Sequence, residues 1–444
     1  MTAPTDRPDR SKRRFTYARA AHRARSHESA HADDGSGPGE GDEHADGSPH
    51  PSVPRGKADL VLTDEQLEQL IAHLRSAGTF AYDSEFIGEL TYFPKLCLIQ
   101  AATAGRVSLI DPLAGVDLRP FWELLADESV EKVVHAGQQD VEPVWRHIDK
   151  EARNVFDTQI AAGFVGLPYP LSLSKLVGEL TGAKLGKGLT FTQWDQRPLS
   201  ATQLRYAADD VRYLPLARQE LGRRLEAAGH AAWAAEECAA MTDPVLYRFD
   251  PDASYLRVRG ATSLQPRNLA VLRELTIWRD AAARAEDVPP RTFLRDEILI
   301  DMSRSPIRSV ERLERVRGLP RPVEKEHGRT IVDLTARALS MSSPGLPSAR
   351  DFEPTPKERF RSDALWAAAQ VLCTGRNIDP ALVASRQDVS DLFRALSDSR
   401  DPATLKVMRG WRRQVLGEPL VKLYRGETKV ELRWDGDSLK ADPS

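Results

Sequence analysis

The chain has 444 residues, of which 41% are hydrophobic and 29% charged, and its net charge is −3 at pH 7. This length predicts about three domains, and the composition is typical of soluble globular proteins. No stretch approaches the ~20 consecutive apolar residues of a membrane-spanning helix, and the N-terminus lacks the apolar core of a secretory signal. The three cysteines, Cys97, Cys238 and Cys373, are too few for a disulfide scaffold and indicate a cytoplasmic protein.

Charge is distributed unevenly along the chain. Residues 57–243 carry 18 basic and 27 acidic side chains, whereas residues 244–444 carry 35 basic and 29 acidic ones. An acidic middle can hold metal cations and an arginine-rich end can hold phosphates, although ordinary solvated faces would give the same balance. Residues 1–56 are rich in Gly, Ser, Pro, Asp and His, which predicts a disordered tail.

The elements predicted within residues 57–243 are typical of an α/β domain with a mixed sheet. Thr63 is a good N-cap for a helix that Gly78 ends. A strand, a two-stranded hairpin and then alternating helices and strands follow, over residues 79–86, 96–101, 106–110, 121–125, 132–135, 141–148, 154–156 and 157–164. A polar, glycine-rich loop over 182–198 leads into a long helix that is predicted to run to about Ala228.

The remaining chain is predicted to be helical. Residues 262–341 form one compact helical unit, in which four side chains share a face: Leu269, Leu272, Leu275 and Trp278. A Ser- and Pro-rich break over 342–356 separates this unit from a second helical region at 357–444. Near the end of that region, the run from Leu420 to Leu432 alternates in the manner of an edge strand.

Acidic residues at three places in the chain are candidates for chemistry. Asp83 and Glu85 lie two apart in a strand, so both project from one face, roughly 6–7 Å apart. Two acids inside an apolar strand indicate a bound divalent cation, Mg²⁺ or Mn²⁺, unless that face is exposed to solvent. Asp140 follows a strand end, where α/β folds place functional residues, although the first turn of any helix favours an acid.

The third place is the long helix, where Tyr206 and Asp210 lie four residues apart and share a face. The ordinary pKa of a tyrosine is near 10, so this phenol is a weak base at neutral pH. Its predicted role is to position a water molecule beside a metal-bound carboxylate. The neighbouring Asp209 points elsewhere and is predicted to form an ion pair or to anchor the helix.

The order of these motifs resembles the DEDD exonuclease superfamily in its tyrosine-bearing branch, and within that branch the ribonuclease D family. The resemblance covers about residues 58–240. Three blocks carry it: Tyr82-Asp83-Ser84-Glu85-Phe86 with Thr91 to Gln100, His135-Ala136-Gly137-Gln138-Gln139-Asp140, and Trp194 to Leu199 with Tyr206 to Leu214. Ser84 stands where this family usually has threonine, and we expect its side chain to face away from the site.

The resemblance implies a ribonuclease H-like fold and a set of site residues. The metal-binding acids would be Asp83, Glu85, Asp140 and Asp210, holding two divalent cations, and Tyr206 would orient the attacking water. Such enzymes hydrolyse RNA from the 3′ end, release 5′-nucleotides and take part in transfer-RNA 3′ maturation. Three further residues are weaker candidates for substrate contact: Trp194, Arg197 and Lys187. Core packing is the alternative for the tryptophan, and a solvated loop is the alternative for the lysine.

Residues 262–341 resemble the HRDC domain, a small helical bundle that implies nucleic-acid binding. The resemblance is carried by Leu264 to Leu269, Trp278-Arg279 and Pro289-Pro290-Arg291. This segment has 15 basic and 12 acidic residues, a surplus that predicts modest, salt-sensitive binding. Residues 357–444 occupy the place of a second, divergent copy, and a plain structural bundle is equally consistent with them.

The sequence therefore predicts a metal-dependent 3′→5′ exoribonuclease whose partner is RNA, with transfer-RNA precursors as the expected substrates. A DNA exonuclease of the same superfamily is one alternative, because only the 2′-hydroxyl distinguishes the two substrates. A catalytically silent RNA-binding protein is another. The presence of all four acids and the tyrosine argues against the silent protein, because a scaffold has no need of a charged metal cluster.

Overall fold

A computed structural model of the chain describes residues 50, 53–186, 193–342, 355–435 and 438–443. These residues form two compact units. One unit consists of residues 248–342 with the short segment 86–95, and the other contains the rest. Among the described residues, no helix combines the length and the apolar character needed to cross a bilayer. The predicted disordered tail lies almost entirely outside the described residues.

A six-stranded sheet lies in the larger unit. Its strands are β1 (Asp59–Val61), β2 (Thr79–Ile87), β3 (Lys95–Ala102), β4 (Val107–Ile110), β5 (Glu131–Val134) and β6 (Val155–Asp157). Their order in the sheet is β1-β4-β3-β2-β5-β6. β1 pairs in parallel with β4, β3 pairs antiparallel with β4, and β5 pairs in parallel with both β2 and β6. The predicted mixed sheet and the β3–β4 hairpin are therefore confirmed, whereas the three-residue β1 was not predicted.

Helices surround this sheet, and their ends follow from local chemistry. The Thr63 hydroxyl accepts a hydrogen bond from the backbone N–H of Gln66, and Gly78 ends the first helix in the left-handed region, as predicted. The helices are α1 (Asp64–Ala77), α2 (Arg119–Leu125), α3 (Gln138–Ile148), α4 (Thr158–Gly163), α5 (Leu173–Thr181), α6 (Ala201–Arg212), α7 (Leu214–Ala228) and α8 (Ala231–Met241).

The prediction of one continuous helix to about Ala228 is wrong. The helix ends at Arg212, and α7 begins at Leu214 with Pro215 in its first turn. Proline has no N–H to donate to the carbonyl four residues earlier, so it tolerates a first turn but interrupts a helix interior. The interruption matters for the site, because it makes α6 a short, separately capped helix.

A bundle of helices from the C-terminal region shares the hydrophobic core of this unit. The ring of Trp411 packs edge-on against Phe164 with a centroid distance of 4.7 Å, and Arg412 forms two hydrogen bonds with the carboxylate of Glu237, at 2.5 and 2.7 Å. The bundle comprises α13 (Pro356–Thr374), α14 (Pro380–Val383), α15 (Arg386–Ser397), α16 (Gly410–Arg412), the π-helical turn Arg413–Gly417 and α17 (Glu418–Arg425), followed by the hairpin β7 (Val430–Asp435) and β8 (Ser438–Pro443).

The predicted strand from Leu420 to Leu432 is wrong in its first part. Residues up to Arg425 are helical, and Gly426 ends the helix in the left-handed region. Leu420 is buried, and Leu423 and Tyr424 pack partly buried against the same core, which is the three- and four-residue spacing of a helix face. The alternation seen in the sequence is therefore a helical pattern up to Gly426 and a strand pattern from Val430.

The smaller unit is an all-helical bundle with its own core. The four side chains predicted to share a face of its first helix are all buried: Leu269, Leu272, Leu275 and Trp278. That helix ends at Asp287, in the left-handed region, just before the Pro289-Pro290 break. The helices are α9 (Pro266–Glu286), α10 (Pro290–Phe293), α11 (Asp296–Arg304) and α12 (Arg321–Leu339), with a 3₁₀ segment at Val310–Arg315.

The segment 86–95 packs within this smaller unit. The hydroxyl of Tyr92 donates to Oδ1 of Asp280 at 2.8 Å, and its backbone N–H donates to Asp287 at 3.2 Å. The guanidinium of Arg284 lies 5.7 Å from the Tyr92 ring and 5.4 Å from the Phe93 ring. The domain boundaries 57–243, 262–341 and 357–444 remain predictions.

Candidate active site

Strand β2 carries two of the predicted acids. Asp83 and Glu85 are two residues apart, so their side chains project from one face of the sheet. Asp210 on α6 completes a group of three, in which one carboxylate oxygen from each residue lies within 4.8 Å of the others. All three residues are partly buried. The fold thus brings together two acids of a strand and one of a helix that are far apart in the sequence.

Helix α6 places Tyr206 beside Asp210. Its start is fixed by a capping box in which the Ser200 hydroxyl accepts from the backbone of Gln203 and the Gln203 side chain accepts from the backbone of Ser200. Tyr206 and Asp210 lie one turn apart on the same face, and their side chains form a hydrogen bond. The neighbouring Asp209 forms the ion pair that was predicted for it, at 2.9 Å.

Burial and like charges raise the pKa values of these acids. Burial, followed by the charge of Asp210, raises the pKa of Asp83 from 3.8 to about 7. The pKa of Glu85 rises from 4.5 to about 9 through burial and the charges of Asp83, Asp210 and Asp140. Burial also raises the pKa of Asp210 to about 7, against the lowering effect of the Tyr206 hydroxyl. Such a cluster is costly when ionised unless a cation balances it.

The donor set of this cluster fits a hard divalent cation. Carboxylate oxygens are the ligands that Mg²⁺ and Mn²⁺ prefer, and three of them converge within 4.8 Å. Asp83, Glu85 and Asp210 are therefore the residues that would hold such an ion. The phenol of Tyr206 does not compete as an anion, because burial and the charge of Asp210 raise its pKa above the ordinary value.

Asp140 stands outside that group of three. It is buried in the first turn of α3, and burial and the charge of Asp83 raise its pKa well above the ordinary value. Its Oδ1 accepts a hydrogen bond from the Ser84 hydroxyl at 2.5 Å, and its backbone carbonyl accepts from the Tyr82 hydroxyl at 2.7 Å. The expectation that the Ser84 side chain faces away from the site is therefore wrong with respect to Asp140, because its hydroxyl contacts that carboxyl group.

The turn before Asp140 is held by a carboxylate that the sequence analysis did not single out. Asp157 accepts hydrogen bonds from the backbone N–H groups of Ala136 at 3.1 Å and Gly137 at 2.9 Å, and it also caps α4. A Cβ on Gly137 would lie 2.5 Å from Cβ of Val134, so only glycine fits there. Asp157 and Gly137 thus fix the direction in which α3 leaves the sheet. The sequence feature that could have identified Asp157 is its place at the end of a strand, as the N-cap of the next helix.

The guanidinium of Arg197 is engaged in hydrogen bonds within the chain, and its contact with substrate stays a prediction. It forms two hydrogen bonds with Asp111, and it donates to the backbone carbonyls of Trp194, Gln196 and Cys97 at 2.7–2.8 Å. A guanidinium has five N–H groups, and these hydrogen bonds use all five. Arg197 therefore holds its own loop in place.

The other two weaker substrate candidates have different outcomes. Trp194 is buried, 4% exposed, and its ring lies 6.1 Å from the ring of Tyr206, which is what the alternative of core packing predicts, and its contact with substrate stays a prediction. Lys187 lies outside the described residues. Ser84, Tyr82 and Asp157 are the residues that the sequence analysis missed as parts of the site.

Comparisons with known proteins agree with this geometry. A family model described as "3'-5' exonuclease" matches residues 59–226, and one described as "HRDC domain" matches residues 268–335. The ribonuclease D of Gluconacetobacter diazotrophicus is 36% identical over 87% of this chain and 97% of its own length, and that of Nitrobacter hamburgensis is 33% identical over 84% and 97%.

Solved structures give the same result. The crystal structure of Escherichia coli RNase D, described as an exoribonuclease involved in structured RNA processing, is 30% identical and matches with a TM-score of 0.73, over 84% of this chain and 99% of that one. A Bifidobacterium adolescentis protein, 22% identical over 84% of this chain and 99% of its own, has a TM-score of 0.59 and shares the fold.

The mixed sheet, the helical bundle and the acidic cluster define a 3′–5′ exonuclease with an HRDC domain. The chain belongs to the ribonuclease D family. It is accordingly a 3′→5′ exoribonuclease, and its substrate is RNA.

Proposed function

We propose that Asp83, Glu85, Asp140 and Asp210 hold two divalent cations, Mg²⁺ or Mn²⁺, and that Tyr206 orients the attacking water. The observation that carries this proposal is the convergence of three carboxylates within 4.8 Å. Asp140 contributes through its charge, which acts on Glu85. The raised pKa values of the cluster support the same assignment, because each lost proton would be replaced by cation charge.

When bound, such cations activate a water molecule and stabilise the leaving oxygen of a phosphodiester. The side chains of this chain do the rest. The Tyr206 hydroxyl stays protonated and is held by Asp210, so it can keep a water in line with the scissile phosphorus without acting as a base. Trp194 packs beside Tyr206 and limits the rotamers that the phenol can adopt.

The substrate that we propose is structured RNA with a single-stranded 3′ end, and transfer-RNA precursors in the cytoplasm are the leading example. Structured RNA processing is described for the Escherichia coli relative. An acidic, partly buried cluster accommodates one unpaired end at a time, so the folded part of such an RNA must be held elsewhere on the protein.

The HRDC domain supplies a surface for that purpose. We define the arginine surface as five exposed arginines from the connection between α11 and α12 and the first residue of α12: Arg308, Arg312, Arg315, Arg317 and Arg321. Among the described residues, no ion pair or hydrogen bond involves the guanidinium group of any of these five arginines. Two glutamates, Glu311 and Glu314, lie in the same stretch, so the net charge of the surface is positive. Guanidinium groups without acidic partners are suited to RNA phosphates.

The proposal is tested by a nuclease assay on a 3′-extended transfer RNA, with Mg²⁺, with Mn²⁺ and with EDTA. We expect stepwise shortening from the 3′ end and release of 5′-nucleotides, dependent on the cation. A matched DNA with the same 3′ sequence serves as the comparison substrate. Equal rates on RNA and DNA would contradict the RNA substrate, and full activity in EDTA would contradict the metal site.

A further inference from the structure

Two side chains on the opposite face of β2 from Asp83 and Glu85 hold Asp140. Ser84 donates a hydrogen bond to its carboxylate at 2.5 Å, and Tyr82 donates to its backbone carbonyl at 2.7 Å. All three partners are buried, with exposed fractions of 9% for Ser84, 0% for Tyr82 and 8% for Asp140. Strand β2 therefore presents Asp83 and Glu85 on one face, and two side chains of its other face form hydrogen bonds with Asp140.

The two hydrogen bonds restrain different degrees of freedom. The Tyr82 hydroxyl fixes the backbone of Asp140 in the first turn of α3. The Ser84 hydroxyl fixes the carboxyl group itself. Once Asp140 is ionised, as it would be beside a bound cation, this hydrogen bond has a charged acceptor and is stronger than a neutral one. Without Ser84, the aspartate side chain could exchange between its staggered rotamers. The direction of its charge relative to Asp83 and Glu85 would then no longer be set.

We propose that Ser84 is a positioning residue that pre-orients the Asp140 carboxylate for the metal-binding cluster. This inference rests on the proposed function, in which Asp140 acts together with the three converging acids. The proposal gives a role to Ser84, the middle residue of the Asp-x-Glu motif, whose side chain carries no carboxylate that could bind a metal. Threonine would preserve the hydroxyl at this position, whereas alanine would remove only the hydroxyl.

The fold offers a matched control for the test. Ser108 on β4 is also a buried serine of the same sheet, and its hydroxyl has no hydrogen-bond partner among the described residues. Ser108→Ala therefore removes an equivalent atom from an equivalent environment without touching Asp140. Any loss of Mn²⁺ binding that is specific to Ser84→Ala then reports on the hydrogen bond to Asp140.

The experiment measures Mn²⁺ binding by calorimetric titration of the full-length chain without RNA, and separately the rate of nucleotide release at a series of MnCl₂ concentrations. For Ser84→Ala we expect roughly tenfold weaker Mn²⁺ binding, equivalent to about 1.4 kcal/mol, and a matching shift of the half-saturating Mn²⁺ concentration. For Ser84→Thr and Ser108→Ala, the Mn²⁺ dissociation constant should stay within about threefold of the wild-type value, which is clearly smaller than the tenfold change expected for Ser84→Ala.

The outcomes separate this inference from the proposed function. If the wild type binds Mn²⁺ and cleaves RNA while Ser84→Ala does both equally well, the positioning role is overturned. The positioning role is also overturned if Ser84→Ala and Ser108→Ala lose Mn²⁺ affinity equally, or if Ser84→Thr does not bind Mn²⁺ as the wild type does. If Ser84→Ala does not fold, Ser84→Cys tests the same hydrogen bond, because a thiol of similar size is a much weaker donor, and wild-type Mn²⁺ binding in that variant would overturn the positioning role. A wild type that neither binds Mn²⁺ nor cleaves RNA would instead overturn the proposed function.

Discussion

Arg197 and Asp111 form a bidentate ion pair, in which Nε donates to Oδ2 at 2.5 Å and Nη2 donates to Oδ1 at 2.6 Å. The side chains are 27% and 11% exposed, so water screens the pair only in part. Because the same guanidinium also donates to the carbonyls of Trp194 and Cys97, it ties the loop before α6 to the sheet. The loop that carries Trp194 towards Tyr206 is thus held by one arginine.

We expect Arg197→Ala to destabilise the protein by about 2–3 kcal/mol, because several hydrogen bonds from a charged donor are removed and Asp111 keeps its charge. Arg197→Lys should restore little of this stability, because an ammonium group cannot reproduce the planar, bidentate donor geometry of a guanidinium. Thermal or urea denaturation measures the change. Arg119→Ala is the control, because Arg119 is exposed and its guanidinium pairs with the exposed Glu123 at 3.4 Å. A stable Arg197→Ala protein with weakened RNA binding would favour a substrate contact instead.

Asp140→Asn should abolish hydrolysis while RNA binding largely survives. The substitution keeps the shape of the side chain and removes one negative charge from the environment of Asp83, which should weaken cation binding. The rate of nucleotide release and the RNA dissociation constant are measured side by side. The matched control is Asp149→Asn, at the other end of α3, where the residue is exposed and left-handed and where asparagine is tolerated. Normal turnover by Asp140→Asn would contradict the site.

The stability of the protein and its response to metal should depend on pH in opposite ways. The pKa values of Asp83 and Asp210 are raised to about 7 and that of Glu85 to about 9. Between about pH 4 and about pH 9, the folded chain therefore holds more protons on these groups than the unfolded chain does. The contribution of these groups to stability is present at low pH and is lost as the pH rises through 7 and 9.

Added Mn²⁺ should reverse that trend, because it binds the deprotonated carboxylates. We expect the increase in melting temperature caused by MnCl₂ to grow from about pH 6 to about pH 9 and to vanish with EDTA. Scanning calorimetry measures both conditions. Asp83→Asn, which removes one carboxylate of the cluster, should reduce the increase at every pH. An increase that does not change with pH would argue against binding at this cluster.

The arginine surface should contribute to the binding of structured RNA but not to the chemistry. For Arg312→Ala with Arg315→Ala, we expect weaker binding of a folded RNA and a salt dependence reduced by about one unit of slope for each phosphate that is no longer bound. Cleavage of a short oligonucleotide should be unchanged. Arg304→Ala with Arg329→Ala is the matched control, because these exposed arginines already pair with Asp301 and Asp333. Equal effects of the two double variants would show that only total charge matters.

Sequence patterns predicted the local structure well where caps and periodicity are strong. Thr63 and Gly78 mark the ends of α1, and the β3–β4 hairpin was correctly predicted. The helices α5 and α8 and the strand β1 were not singled out. The strand has three residues, and four of the first five residues of α8 are alanine, so neither shows a clear alternation of apolar and polar positions.

The site was predictable to the level of residue types and not to the level of individual hydrogen bonds. The spacing of Asp83 and Glu85, and of Tyr206 and Asp210, follows from strand and helix periods. The hydrogen bond from Ser84 to Asp140 joins residues 56 positions apart, and it depends on the direction in which α3 leaves the sheet. No local period determines such a bond, which is why Ser84 was expected to have no part in the site.

The shared core of the nuclease and the C-terminal bundle has a consequence for shortened forms of this protein. Trp411 covers Phe164, and Arg412 neutralises Glu237, which is itself largely buried. A premature stop codon just after the HRDC domain would therefore leave an apolar cavity and an unbalanced charge in the catalytic unit itself. Such a truncation would therefore have the phenotype of a cell that lacks the nuclease, and not that of a cell whose nuclease binds RNA more weakly.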